Sequence, residues 1–317
     1  MRKKAFWHGV FPDLSGLRFM DFSLTFQIEG LAIRGRLVRL GSALEQMLLP
    51  HSYPGPVAEI MAETVTLAAT LGSALKYDGV FGLQTQSDGP VSIMVADVTS
   101  NGAIRGYARF DDEKIKLLDN NAGAPVPRLL GAGYMAFSVD QGPHTERYQG
   151  ISELDGATLA DCAHHYFRNS EQLESAIWLG ADAGKNQSGA GAMSGAIMIQ
   201  RMPQSGPQSG KDIEDEEDGW RRAVAILSSL KRDELLSDEL SAEELLYRLY
   251  NEDGVRIFEK HDLFHQCRCS EEKVINTIKS FPIDEITDEN GNIRVTCEFC
   301  KQVYSFDHNE IKSIIAN

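Results

Sequence analysis

Nothing in these 317 residues approaches the ~18 consecutive apolar positions that a membrane span needs, so no membrane partner is expected. Cysteine is scarce and lopsided: of five, Cys162 stands alone and the other four fall between 267 and 300. That distribution excludes a dispersed disulfide framework and suits a metal site or a redox device. Basic charge is also in short supply, with 31 Lys and Arg against 46 Asp and Glu and a formal charge of −15. A field of that sign repels phosphate backbones, which argues against nucleic acid and for contact with proteins or small molecules. Regular β-α-β alternation, the mark of a dinucleotide-binding sheet, is missing as well. The basic opening Arg2-Lys3-Lys4 is followed by Pro12 and Asp13, which break the apolar run of an export signal, and a cytoplasmic location is expected.

What is present reads as alternating β and α periods. Phe22, Leu24, Phe26 and Ile28 recur every second position, and Ile33, Gly35 and Leu37 follow after Glu29-Gly30, predicting strand after strand. Behind Pro54 and Pro56 the spacing changes to threes and fours through Val57, Ile60, Met61, Val65, Ala68, Leu71 and Leu75, a long amphipathic helix whose stripe is read as a core face. The period of two returns in Phe81 to Thr85, Val91 to Val95 and Ile104 to Phe110, with turns at Ser87-Asp88-Gly89-Pro90 and Asn101-Gly102. Tyr134 to Val139 and Met193 to Met202 are further strands, with helical sequence from Leu159 to Gln172 between them. The expected class is α+β: a core domain of antiparallel strands with packed helices over 1–205.

Pro203 to Gly210 has nothing to bury, and Asp212 to Asp218 places six acids in seven positions, so a boundary is expected there. Beyond it, Trp220, Val224, Leu227 and Leu230 form a helical stripe, and Ser241 with Glu244 makes a capping box ahead of Leu245, Leu246 and Leu249. High charge and a narrow apolar face predict an acidic, metastable helical linker over 206–260 that folds only by docking on something else.

The chemistry concentrates in Cys267-Arg268-Cys269 and Cys297-Glu298-Phe299-Cys300. Four thiolates complete a tetrahedron around zinc, and a 27-residue spacer over 270–296 is short enough for a small domain to close. Two free or disulfide-bonded pairs without metal are the plainer alternative. Ser270 can cap a helix carrying Val274, Ile278 and Phe281 until Pro282, and Glu289-Asn290-Gly291 turns into Ile293, Val295, the C-x-x-C pair and then Val303 to Phe306. A unit over 261–317 buries little apolar surface, so a metal would supply a large share of its stability, on the order of 10 kcal/mol by analogy with zinc-finger peptides.

The cysteine pattern resembles that of the bacterial heat-shock protein 33 family, redox-regulated holdase chaperones. The resemblance runs through Gly35 to Gly41, Tyr53-Pro54, Lys76 to Gly79, Ser87 to Pro90, Arg105-Gly106, Glu146 to Gly150, Tyr166-Phe167 with Ser170 to Gln172, and Leu246 to Tyr250. The stretch before Phe19 and the Gly/Ser/Gln segment near 203–210 depart from it. The resemblance implies a chaperone rather than an enzyme, inactive while reduced and holding one Zn2+ per chain through Cys267, Cys269, Cys297 and Cys300. It implies disulfides Cys267–Cys269 and Cys297–Cys300 on oxidation, loss of zinc, unfolding of the linker and capture of unfolding client proteins without ATP, with homodimers in the active state.

Other signals weigh less. Cys162 with His164 and His165 is read as structural rather than as a nucleophile with its base, and His261, His265 and His308 as neighbours of an already filled tetrahedron. The run Gly189 to Gly195 misses G-x-G-x-x-G and has no Walker lysine. A competing function is a zinc-ribbon module that recruits nucleic acid or a transcription complex, which the net charge opposes. A thiol-disulfide enzyme would need thioredoxin-like surroundings that Cys297 lacks.

Overall fold

The computed structural model describes residues 21–311, apart from 119–122, 143–144, 146–147, 169–173, 185–190 and 203–209. The stretch before Phe19, Gly189 and Ala190 of the glycine-rich run, Pro203 to Ser209 and the end of the helix expected to reach Gln172 lie outside the described residues.

Two antiparallel sheets enclose one long helix. β1 (Phe22–Ile28) and β2 (Ile33–Leu40) pair in register from Phe22 opposite Arg39 to Ile28 opposite Ile33. A short α1 (Ser42–Leu48) leads to α2 (Gly55–Ala74). The meander β3 (Val80–Ser87), β4 (Val91–Thr99) and β5 (Ala103–Phe110) follows, then α3 (Asp112–Lys116), β6 (Gly133–Asp140), β7 (Tyr148–Glu153), α4 (Leu159–Tyr166), β8 (Ser175–Asp182) and β9 (Met193–Arg201). Strands β5-β4-β3-β6-β7 belong to one sheet and β1-β2-β9-β8 to the other. The expected α+β class is therefore what the chain adopts.

α2 lies between the sheets and is buried almost all round. Val57, Ile60, Met61, Val65, Ala68 and Leu71 fill the core, while Leu75, at the end of the expected stripe, caps the helix and is exposed. Thr64, Thr66 and Thr70 share that burial because each hydroxyl donates back to a carbonyl one turn earlier, at Ile60, Ala62 and Thr66, over 2.7–2.8 Å. Half-buried Glu63 departs from the pattern: burial pushes its carboxyl up to about 8, Glu59 adds to the rise and Arg232 opposes it. The folded chain thus keeps a proton that the unfolded chain releases near 4.5, and stability drains away as pH climbs from there towards 8. Glu63→Gln is expected to raise the melting temperature at pH 8 and to leave it nearly unchanged at pH 4; an equal effect at both values would refute this.

The other face of the β1-β2-β9-β8 sheet is covered by the acidic segment. α5 (Gly210–Ser228), α6 (Arg232–Leu235) and α7 (Ala242–Tyr250) place Trp220, Leu227, Leu230, Leu235, Leu245 and Tyr250 against Leu24, Phe26, Ile28, Leu37, Ile197 and Ile199. Gly35 makes room for this packing, since a Cβ there would lie 2.0 Å from Phe26 Cζ, and the Phe26 ring stacks on Tyr250 at 6.2 Å. Buried Arg39 donates across the seam to the carbonyls of Leu240 (2.6 Å) and Glu234 (3.3 Å). Burial lowers it only to about 10, so it crosses the seam as a cation. Ser241 and Glu244 form the expected capping box.

One stretch differs from a helical reading of 206–260. After Gly254, at φ +78°, β10 (Val255–Asp262) extends the first sheet by pairing antiparallel with β1. Its Arg256, Glu259, Lys260 and His261 are charged or polar, as suits an edge strand, and they hide the alternation of Val255 and Ile257. At Leu263 the chain crosses to the second sheet, where β11 (Phe264–His265) runs parallel to β5. Gly102, at φ +91°, accommodates the crossing, because a Cβ there would meet the Asp262 carbonyl at 2.1 Å. The remaining elements are α8 (Glu271–Ile278), α9 (Ile283–Ile286) and the hairpin β12 (Ile293–Thr296) and β13 (Val303–Phe306).

Candidate metal centre

β11 delivers the first cysteine pair. Gln266 N–H donates to the Ile104 carbonyl (3.1 Å), so Cys267 and Cys269 leave the edge of the core directly. Ser270 then caps α8, its hydroxyl accepting from Lys273 N–H as its sequence position predicts. The second pair sits on the turn of the β12–β13 hairpin, closed by Cys297 N–H to Gln302 O and Lys301 N–H to Cys297 O, each 2.9 Å.

These two local structures bring the four sulfurs together. Cys267 Sγ lies 3.8 Å from Cys297 Sγ, Cys269 Sγ lies 3.5 Å from Cys300 Sγ, and all four fall within 4.8 Å of one another. Four thiolates at the usual ~2.3 Å from a tetrahedral ion stand ~3.8 Å apart, so the set fits a metal ion of the soft, thiolate-seeking kind. Burial pushes the Cys300 thiol up, and the sulfurs of Cys269 and Cys267 add to that. A cation held by Cys267, Cys269, Cys297 and Cys300 would reverse this tendency and favour the thiolate form. Tyr304, on β13, donates its hydroxyl to Cys269 Sγ over 3.1 Å. Beneath the cluster, among the described residues, Ile278, Ile293, Phe306 and Ile311 form a small buried core.

The cluster is seated on the second sheet through the residue between its own C-x-x-C cysteines. Arg105 Cζ lies 3.8 Å from the centre of the Phe299 ring, and Tyr107 meets that ring edge-on at 4.8 Å. Burial lowers His51, which favours the neutral imidazole, and Nε2 donates to the Phe299 carbonyl (3.0 Å). Asp97 receives Arg105 at 2.6 Å and Arg268, from between Cys267 and Cys269, at 2.5 Å.

His51, Asp97, Arg105, Tyr107 and Tyr304 were not legible as site residues. Only Tyr304 carried a usable signal, a phenol on the strand just after the C-x-x-C pair. His261, His265 and His308 contribute no atom to the four-sulfur group. Cys162 is fully buried in the core, where burial pushes its thiol up to about 12.

Comparison with known proteins defines a class of chaperones. The family model for the Hsp33 protein matches residues 21–307. The 33 kDa chaperonin of Caulobacter vibrioides is 39% identical over 302 residues, covering 94% of this chain and 98% of that protein. Its counterpart in Pseudomonas fluorescens SBW25 is 34% identical over 300 residues, with 93% and 94% covered. The chain belongs to the Hsp33 family. Its fold is shared with the crystal structure of an Hsp33 homologue from Thermotoga maritima, at a TM-score of 0.77 and 20% identity over 94% of this chain and 98% of that one.

Proposed function

We propose that the chain is a redox-regulated, ATP-independent holdase, and one observation carries this reading. The cover on the first sheet and the four-sulfur unit are two ends of one tether: Tyr250 closes the cover, β10 and β11 follow almost without a break, and Cys267 comes two residues after β11. Loss of order at the sulfurs pulls on strands that belong to an edge, and behind them lie helices stabilised chiefly by docking.

In this reading the chaperone core spans 1–205, the metastable linker 206–260 and the redox unit 261–317. Cys267, Cys269, Cys297 and Cys300 hold one Zn2+ in the reduced, inactive chain. When bound, zinc keeps the four sulfurs as thiolates, the form that attacks peroxide or hypochlorous acid, and ties the two cysteine pairs together. Oxidation joins Cys267 to Cys269 and Cys297 to Cys300; each disulfide takes two electrons from sulfur, and each peroxide consumed leaves as water. With their thiolates gone, the pairs release the metal and the unit unfolds. The linker follows, and Leu24, Phe26, Ile28, Ile197 and Ile199 become available to unfolding proteins. Homodimers are the active form and the cytoplasm the working compartment.

The competing zinc-ribbon module draws no support from the charges around the cluster. Arg268 is taken by Asp97, and Lys301 pairs with Glu298 (3.2 Å), so neither of these two cations beside the cysteines is left free for phosphate.

Light scattering from a heat-denatured client, with reduced and with peroxide-treated protein, tests the proposal alongside zinc and thiol counts. Protection should accompany the loss of about one zinc and four thiols per chain. Equal protection by both forms would remove the switch.

A further inference from the structure

The outer face of β5 presents a row of cationic and aromatic side chains on which Glu298-Phe299 lies. Along β5, Ile104, Gly106 and Ala108 turn inward, Gly106 so closely that a Cβ would come within 2.5 Å of Met61 Cε on α2. Arg105, Tyr107 and Arg109 therefore stand on the opposite side, in a row. Asp97 fixes the Arg105 guanidinium through both Nε (2.7 Å) and a terminal nitrogen (2.6 Å), so its flat face is held in place before any ligand arrives. Upon this surface lies Glu298-Phe299. The ring rests under Arg105 and against the Tyr107 edge, the Phe299 carbonyl accepts from His51, and Glu298 Oε1 lies 4.0 Å from Arg109.

We infer that this face binds segments of unfolding proteins in which an acidic residue precedes an aromatic one, and that Glu298-Phe299 occupies it as an internal stand-in while the C-terminal unit is docked. The inference rests on the switch proposed above, because Glu298 and Phe299 lie between Cys297 and Cys300 and a disulfide joining those cysteines must reshape the loop that presents them. Each contact selects for one feature of the partner. The guanidinium face and the tyrosine edge favour an aromatic ring, which folded proteins keep inside and unfolding ones expose. His51 asks for an accessible backbone carbonyl, present in an extended segment and spent in a helix or sheet. Arg109 adds preference for a neighbouring carboxylate, a weaker demand because that ion pair is solvent-exposed, with 61% and 54% of the two side chains accessible. Local positive charge is needed for this in a chain whose overall field is negative.

The test is a titration of isotope-labelled full-length protein with capped peptides, Gly-Ser-Glu-Phe-Ser-Gly and the same peptide with alanine in place of phenylalanine, followed by amide NMR. Oxidised protein should bind the phenylalanine peptide about tenfold more tightly than the alanine peptide, with shifts centred on 105–109. Tyr107→Ala should erase that preference. Reduced, zinc-loaded protein should bind neither, whereas reduced Phe299→Ala should bind the phenylalanine peptide because its own ring no longer competes. Equal binding of the two peptides, or a preference that survives Tyr107→Ala, overturns the receptor. If reduced Phe299→Ala binds selectively but oxidised wild-type protein does not, the receptor stands and the redox switch falls. If oxidised protein protects clients while neither form prefers the phenylalanine peptide, the receptor falls and the switch stands.

Discussion

Cys300→Ser is expected to unfold the C-terminal unit while β1 to β9 and α2 stay folded. With four buried apolar side chains among the described residues beneath it, that unit has little to replace what a metal would supply, on the order of 10 kcal/mol for four-ligand sites in small domains. Serine is a poor ligand for a soft metal, and a three-sulfur remnant leaves one position to water. Zinc per chain should fall well below one. Hydrogen exchange should accelerate at the hairpin amides of Cys297 and Lys301 and along β12 and β13, with protection unchanged in the core strands. If those amides stay as slow as in the wild-type chain, the metal is not what holds the unit together.

Tyr250→Ala should be the most damaging single change to the linker's cover. Its side chain is completely buried, stacks on Phe26 of β1 and donates its hydroxyl to the Ala223 carbonyl of α5 (3.3 Å), so it joins α7 to both its neighbours. Truncating an aromatic in such a place costs about 3–5 kcal/mol. The loss falls on the seam rather than inside the core, because α2 and the second sheet make up a separate apolar cluster. Linker amides over 220–250 should exchange faster while α2 keeps its protection, and the reduced variant should suppress client aggregation without oxidant. A reduced variant that opens its linker yet remains inactive would mean that the covered face is not where clients bind.

Legibility differed by element for physical reasons. Strands β1 to β6 and helix α2 were readable because a face against the core imposes a period of 2 or 3.6 on the residues that meet it. The caps at Ser241 and Ser270 were readable because their partners lie three residues away. β10 was obscured because an edge strand with charged side chains has little to alternate. The docking of the sulfur unit could not be seen in advance, since its contacts join residues far apart in the chain: His51 and Phe299 are separated by 248 positions, Arg268 and Asp97 by 171.

Covalent spacing alone determined that four thiols could meet and that strands β1 to β6 and helix α2 would arise where they do, because ligand number, reach and local period are properties of neighbours along the chain. Tertiary structure alone decided that α5 to α7 cover the apolar face of the first sheet, that Tyr304 bonds to Cys269, and that the residue between two cysteines is the one seated on Arg105 and Tyr107. Those outcomes depend on surfaces that exist only after distant segments have packed, and no period or motif encodes which surface will meet which.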